Sequence, residues 1–206
     1  MTRMNVAAQL LGQTDIYIVD QIMKGNYDNC NDVLEIGCAT GRNLTYFLKQ
    51  QYNVCGIDVN AKAIEYCQRQ AEEIGGKPVG NNFRVEDICA HSFPEASFDL
   101  VISNAVFHFA NNQNHFEQML FSAWKLIKPN GFLFCRLASN IGIEGLVEEL
   151  DNGRYRLPDG TIRFLVNQQM LLDYTLKLEG ELHENLKTTN VQNLRAMTTW
   201  CIRKIK

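Results

Sequence analysis

Apolar runs of strand length alternate with stretches of helical periodicity from residue 32 to residue 137. That alternation limits the chain to an α/β fold on a mainly parallel sheet. The runs are Asp32–Ile36, Asn53–Ile57, Asn82–Val85, Phe98–Ser103 and Gly131–Leu137. Between them lie Arg42–Gln51, Ala61–Ile74 and Asn114–Ile127. In the second of these, Ile64, Cys67, Ala71 and Ile74 fall on one helical face. Asn114 stands three residues before Glu117, the spacing of a capping box. Lys128-Pro129-Asn130-Gly131 predicts a stop and turn.

Beyond Leu137 the pattern changes. Arg154 to Phe164 reads as two short strands around a Pro158-Asp159-Gly160 turn, followed by a helix near Asn167–Leu178. Two last strands are expected near Glu181–Thr189 and Arg195–Arg203. Residues 1–206 are read as one domain. Residues 1–30 form a helical lid segment in this reading, and the insertion 139–164 forms a substrate cap, since insertions at strand ends commonly carry substrate contacts.

Composition excludes several classes. Twenty Lys and Arg against 23 Asp and Glu leave a net charge of -3, so a basic surface for nucleic acid is not expected. No apolar run approaches the ~18 residues of a membrane span. The N-terminal sequence lacks the apolar core and cleavage site of a signal peptide. Seven cysteines, an odd number without a CxxC pair, point to reduced thiols in a cytoplasmic protein. The four histidines offer no metal-like pair, and no metal is expected.

The chemistry is concentrated at strand ends. Val33-Leu34-Glu35-Ile36-Gly37-Cys38-Ala39-Thr40-Gly41-Arg42-Asn43 is a buried strand that turns through small residues into a helix. Small side chains allow a ligand close to the backbone, and a helix N-terminus favours an anionic group, carboxylate or phosphate. Asp58, 23 residues after Glu35, ends the second strand, where an acid can accept from both ribose hydroxyls. Val59 would pack on a purine face. After the third strand, Asp87 could accept from an exocyclic amine with Ile88 against the ring.

With these residues in place, the chain resembles the class I S-adenosylmethionine-dependent methyltransferases from Asp32 to Arg136. Glu35 to Gly41 matches their glycine-rich first motif, except that the middle glycine is Ala39. Asp58 matches the ribose-binding acid and Asp87 the adenine-binding acid. Phe98-Asp99-Leu100-Val101-Ile102-Ser103-Asn104 looks like the fourth motif, whose strand end faces the transferred methyl. Leu126 to Phe132 looks like the turn before the fifth strand. The resemblance implies a doubly wound, seven-stranded sheet in the order 3-2-1-4-5-7-6, strand 7 antiparallel, with helices on both faces. It implies S-adenosylmethionine as cofactor, with S-adenosylhomocysteine as product. The cofactor-binding residues would be Glu35, Gly37, Cys38, Ala39, Thr40, Gly41, Asn43, Asp58, Val59, Asp87, Ile88, Ser103 and Asn104. Within the family the chain looks like small bacterial enzymes of the tellurite-resistance or small-molecule type, so a small-molecule acceptor is expected.

Other readings stand beside this one. A nicotinamide-dependent oxidoreductase would need G-x-G-x-x-G, and counted from Gly37 its second and third glycines fall on Ala39 and Arg42. A protein that binds the cofactor without catalysis is the other rival. His108 is a candidate general base, a substrate contact, or a half-buried histidine with a satisfied hydrogen bond. Tyr17 lies in a helical stretch, Asp15–Met23, that either closes over the cofactor or simply packs. Arg154, Arg156 and Arg163 surround the Pro-Asp-Gly turn, as a solvated hairpin face or as an anion-binding lid. Ser103-Asn104-Ala105-Val106 lacks the Asn/Asp-Pro-Pro-Tyr/Phe sequence of enzymes that methylate amino groups of nucleic acids and glutamine.

Overall fold

A computed structural model of the chain describes residues 6–75 and 79–205. The first five residues of the expected lid segment lie outside the described residues. Helices α1 (Val6–Leu11) and α2 (Ile16–Met23) precede the first strand. Strands β1 (Asp32–Ile36), β2 (Asn53–Asp58), β3 (Phe83–Val85), β4 (Phe98–Asn104) and β5 (Ile127–Ser139) then alternate with helices α3 (Thr45–Lys49), α4 (Ala61–Gly75) and α5 (Gln113–Leu126). The insertion carries β6 (Glu148–Asp151), β7 (Arg154–Arg156) and β8 (Ile162–Phe164). The chain returns through α6 (Gln168–Lys177), β9 (Gly180–Leu182), β10 (Lys187–Val191) and β11 (Arg195–Lys204).

The main sheet runs β3-β2-β1-β4-β5-β11-β10, with β11 antiparallel to both neighbours. This is the order expected, with one refinement. The outermost strand is broken: β9 and β10 share the free edge of β11, pairing with Ile202–Lys204 and with Arg195–Thr199 respectively.

Side-chain alternation along β1 divides the core. Leu34 and Ile36 enter one cluster with Phe116 and Leu120 of α5, Leu171 of α6 and Trp200. Val33 enters another with Ile18 of α2, Phe47 of α3 and Ile64, Cys67 and Ala71 of α4. The three α4 residues are among those whose helical spacing predicted a buried face.

Three local expectations are corrected. Helix α5 begins one residue early, and its cap is Asn112, whose Oδ1 accepts from the His115 N–H at 2.8 Å. Asn114 therefore lies inside the helix and Glu117 closes no capping box. Helix α3 starts at Thr45, three residues later than predicted, after a turn at 42–44 with no side-chain cap. Five residues of helix offer a weak dipole, so the anion-binding role expected of this N-terminus loses its support. The helix stops at Leu126, as Lys128–Gly131 predicted, but these four residues are a bulge within β5, which begins at Ile127 and not at Gly131, and pairing jumps from Phe98–Ile127 to Leu100–Phe132.

The N-terminal segment is tied to the sheet edge. Lys24 and Lys187 each bridge Asp20 and Glu184 at 2.6–2.8 Å, and Gln21 donates to Glu184 at 2.9 Å. Against the upward push of burial, bonds from Lys187, Lys24 and Gln21 hold the Glu184 carboxyl down to about 2. The insertion is tied too: Phe164 is buried and stacks on Phe116 with centroids 5.0 Å apart. Among the described residues no helix is long and apolar enough to cross a membrane.

Candidate functional site

In a parallel α/β sheet, ligands bind beyond the carboxyl ends of the strands, where the order reverses. Here that point lies between β1 and β4, and a cleft of about 390 Å³ opens there. Of the residues expected at the cofactor, Gly37, Ala39, Asp58, Val59, Asp87, Ile88 and Asn104 line it.

The loop after β1 takes a backbone that small residues make possible. Gly37 and Gly41 have φ of +64° and +69°, and Ala39 has +46°. A side chain at Gly37 would place its Cβ 2.6 Å from Val106 Cγ2. Asp58 holds this loop directly: its Oδ2 accepts from the Ala39 N–H at 3.0 Å and its Oδ1 from the Asn60 N–H at 2.8 Å. A carboxylate has about four acceptor positions, so capacity remains for ribose hydroxyls. Asp87 caps a short turn by accepting from the Cys89 N–H at 2.7 Å. Val59 is 70 % exposed, and across the same cleft lies buried Ile88, two apolar surfaces suited to a planar ring. Asn104 is buried, and neither its side-chain oxygen nor its nitrogen has a partner among the described residues. Such a group needs a ligand or water to offset its desolvation.

Glu35, Cys38, Thr40, Gly41, Asn43 and Ser103 do not line the cleft. The pleat turns Glu35 to the opposite face, where its Oε1 accepts from Asn43 Nδ2 at 2.6 Å. Asn43 Oδ1 in turn accepts from the Asp15 N–H at 3.0 Å, which ties β1 to the start of α2. Cys38 is a packing residue. Its thiol, hydrogen-bonded to Cys67 and buried, is held far above the ordinary range.

Burial pushes the Glu35 carboxyl up to about 8, outweighing the opposite influence of Asn43. A carboxyl raised on folding stabilises most below its unfolded value and loses that contribution as pH rises through the folded one. Glu35→Gln, which keeps an acceptor for Asn43, removes this titration. The melting temperature of the variant relative to the parent is expected to rise steadily from about pH 5 and to level off above about pH 8, the folded value. A difference that stays flat across this range would contradict the assignment.

A second pocket of about 290 Å³ adjoins the first, and Ala105 belongs to both. Ala105 has φ +64° and donates its N–H to the Arg136 carbonyl at 2.7 Å, so the end of β4 is fixed against β5. His108, Arg136, Asp159, Arg163 and Arg195 supply the ionisable walls. His108 Nδ1 accepts from the Ala138 N–H at 3.1 Å. The proton of the neutral ring therefore sits on Nε2. Burial and the nearby Arg163 and Arg136 bring its pKa down to about 4. With one lone pair engaged and the other nitrogen protonated, this ring offers an N–H to donate and is ill suited to act as a base.

The arginine triplet expected around the turn is split. Strand pairing places Tyr155 opposite Arg163, so Arg154 and Arg156 project from the other face. Arg163 reaches the second pocket. Arg154 and Arg156 do not, and Arg156 pairs with Glu148 at 3.4 Å. Tyr17 lines neither cavity. Its hydroxyl contacts Thr189 Oγ1, and its ring lies under the Arg136 guanidinium, 4.7 Å from the centroid.

Ile36, Ile57, Glu86, Ala105, Val106, Phe109 and Met119 in the cleft, and Arg136, Asp159 and Arg195 in the second pocket, are not among the residues expected from the sequence. Phe109 is a large apolar side chain 58 % exposed beside His108, an exposure that nothing in the sequence marks. Met119 lies within a helix, and nothing local marks which face meets the cleft.

A strand-end cleft of this topology, with acids closing β2 and β3 and a glycine-containing turn after β1, defines a nucleoside-binding α/β domain. Residues 34–135 match the family model of the methyltransferase domain, and the fold is that of the class I S-adenosylmethionine-dependent methyltransferases. S-adenosylmethionine is the family's cofactor. The chain is 28% identical over 117 residues to an arsenite methyltransferase of Aquipseudomonas alcaligenes, covering 52% of this chain and 32% of that protein. It is 31% identical over 103 residues to the 2-methyl-6-phytyl-1,4-hydroquinone methyltransferase of Synechocystis sp., covering 49% and 30%. The chain thus spans about a third of the length of these relatives. A crystal structure of a S-adenosylmethionine-dependent methyltransferase from Clostridium acetobutylicum superposes with a TM-score of 0.71 at 12% identity, over 97% of this chain and 96% of that one. That likeness extends the shared fold to β10 and β11, beyond the matched domain.

Proposed function

We propose that the chain transfers a methyl group from S-adenosylmethionine to a small-molecule acceptor seated in the second pocket. The observation that carries this reading is the junction of the two cavities at Ala105, beside the unpartnered amide of Asn104. In this reading Asp58 holds the ribose, Val59, Asp87 and Ile88 the adenine, and the Gly37–Ala39 backbone the amino-acid end. The cofactor supplies an electrophilic methyl group. The chain aligns acceptor and cofactor and excludes water, effects that together can lower a barrier by up to ~7–11 kcal/mol. His108 serves as a hydrogen-bond donor to the acceptor.

The insertion 139–164 acts as a cap, since Leu157, Asp159, Thr161 and Arg163 form one wall of the second pocket. The N-terminal segment supports it through Tyr17 beneath Arg136. Arsenite and a hydroquinone, the acceptors named for two relatives, are both small molecules. Seven free cysteines, six of them buried, fit a cytoplasmic location.

The reading is tested by a methyl-transfer screen over thiols, metalloid oxyanions, phenols, amines and carboxylates, measured as S-adenosylhomocysteine release. At least one class is expected to raise release above the rate without acceptor. Tight S-adenosylhomocysteine binding with no release for any class would instead mark a cofactor-binding protein without catalysis.

A further inference from the structure

Three arginines converge on the second pocket from distant parts of the chain: Arg136 at the end of β5, Arg163 in β8 and Arg195 at the start of β11. The arginine ion pairs among the described residues involve Arg42, Arg156 and Arg203, and none of these three. Arg136 is half-buried, and its Nε is inaccessible with no acceptor among the described residues. Its guanidinium lies on the Tyr17 ring, and that of Arg163 lies 4.9 Å from the Phe109 centroid. Aromatic faces orient a guanidinium and leave its in-plane N–H groups to oxygen acceptors; Arg163 Nη1 already donates to the Ile162 carbonyl at 2.7 Å, and its other N–H groups can meet a ligand.

The other charged group in the wall is Asp159. Its Oδ1 already accepts from the Thr161 N–H at 2.9 Å and from the Thr161 hydroxyl at 2.6 Å. Three guanidiniums therefore face one carboxylate in a chain of net charge -3. Guanidinium has no acceptor atom, and the His108 ring presents an N–H. A pocket so rich in donors is complementary to a ligand rich in acceptors and negatively charged.

We propose that this pocket selects a small acceptor carrying an oxyanion, a carboxylate or a phosphate, with Arg136 as the anchor and Arg163 and Arg195 beside it. The inference rests on the methyl-transfer reading for the word acceptor, while the anion site itself does not depend on it. Arg136 is suited to be the anchor because its carbonyl holds Ala105, the residue common to both cavities. An oxyanion bound there is a handle that fixes the rest of the molecule toward the cofactor cleft. The binding partners thus come from β5, β8 and β11, so the cap and the sheet close on the ligand together.

The test uses the full chain with ¹⁵N-labelled arginine, alone and saturated with S-adenosylhomocysteine. Side-chain Nε signals are followed by NMR during titration with benzoate, phenyl phosphate and the neutral analogue benzamide. Saturable shifts at Arg136 and Arg163 are expected with an anion and not with benzamide, while Arg42, Arg156 and Arg203 stay in place. The tighter of benzoate and phenyl phosphate distinguishes carboxylate from phosphate. Arg136→Gln should weaken the anion about tenfold or more, as for a charge-assisted bond, and leave S-adenosylhomocysteine affinity within about twofold. The proposal is overturned if neither anion shifts these signals, if benzamide shifts them equally, or if Arg136→Gln leaves anion affinity unchanged. Failure of S-adenosylhomocysteine to bind would refute the methyl-transfer reading alone, because the titration without it still reports on the anion site.

Discussion

Gly37→Val is expected to abolish S-adenosylhomocysteine binding. The residue takes φ +64°, a region that costs an L side chain roughly 1–2 kcal/mol. A Cβ there would also stand 2.6 Å from Val106 Cγ2, and both residues line the cleft. Valine adds two methyl groups beyond that Cβ. Either Val106 is driven into the space of the ligand or the loop after β1 refolds. In both cases the surface that meets the cofactor is lost. Titration calorimetry measures the loss, and circular dichroism shows whether the sheet persists. Gly37→Ala combined with Val106→Ala relieves the contact but keeps the backbone strain, so it should recover binding in part. A folded Gly37→Val protein with ordinary affinity would show that the loop does not approach the cofactor.

The second large effect is expected at Asp58. Its carboxylate holds the Ala39 and Asn60 N–H groups and is the ribose acceptor in the proposed reading. Asp58→Ala removes the acceptor for two ribose hydroxyls and frees the loop, at about 1.5–3 kcal/mol for bonds to a charged group. That corresponds to roughly a 10- to 150-fold loss of S-adenosylhomocysteine affinity. Asp58→Asn keeps one oxygen and should lose less. The two variants are compared by calorimetry, with thermal melts as the control for loop stability. Unchanged affinity in Asp58→Ala, with the fold intact, would remove Asp58 from the cofactor site.

These two positions were legible because their roles are local. A residue that ends a parallel strand before a turn is delivered to the same rim of the sheet wherever the strand lies. Asp58 and Asp87 each follow a short apolar run, and both line the cleft as their positions predicted. Small residues after β1 likewise announce a tight turn without any knowledge of partners. The departure at Ala39 is explained at the same level, since its φ of +46° is one a small side chain adopts at modest strain.

Glu35 shows where local reasoning stops. Its position in the first motif suggested the cofactor, yet the pleat of β1 sends its side chain to Asn43 and the N-terminal helices. Which face of a buried strand meets the ligand is set by the layers packed on each side, and in β1 both faces are apolar enough to be core. The arginines repeat the lesson. Arg154, Arg156 and Arg163 are close in sequence, but antiparallel pairing separates Arg163 from the other two. Arg195 is far from Arg136 in sequence, but β11 inserts antiparallel beside β5 and pairs Ala196 with Ser139, which brings both to one pocket. Periodicity and turn chemistry act over a few residues and so decided the strands, their ends and the acids that line the cleft. The second pocket is assembled from β5, β8 and β11, which are remote from one another along the chain, and only the pairing of those strands could decide its charge.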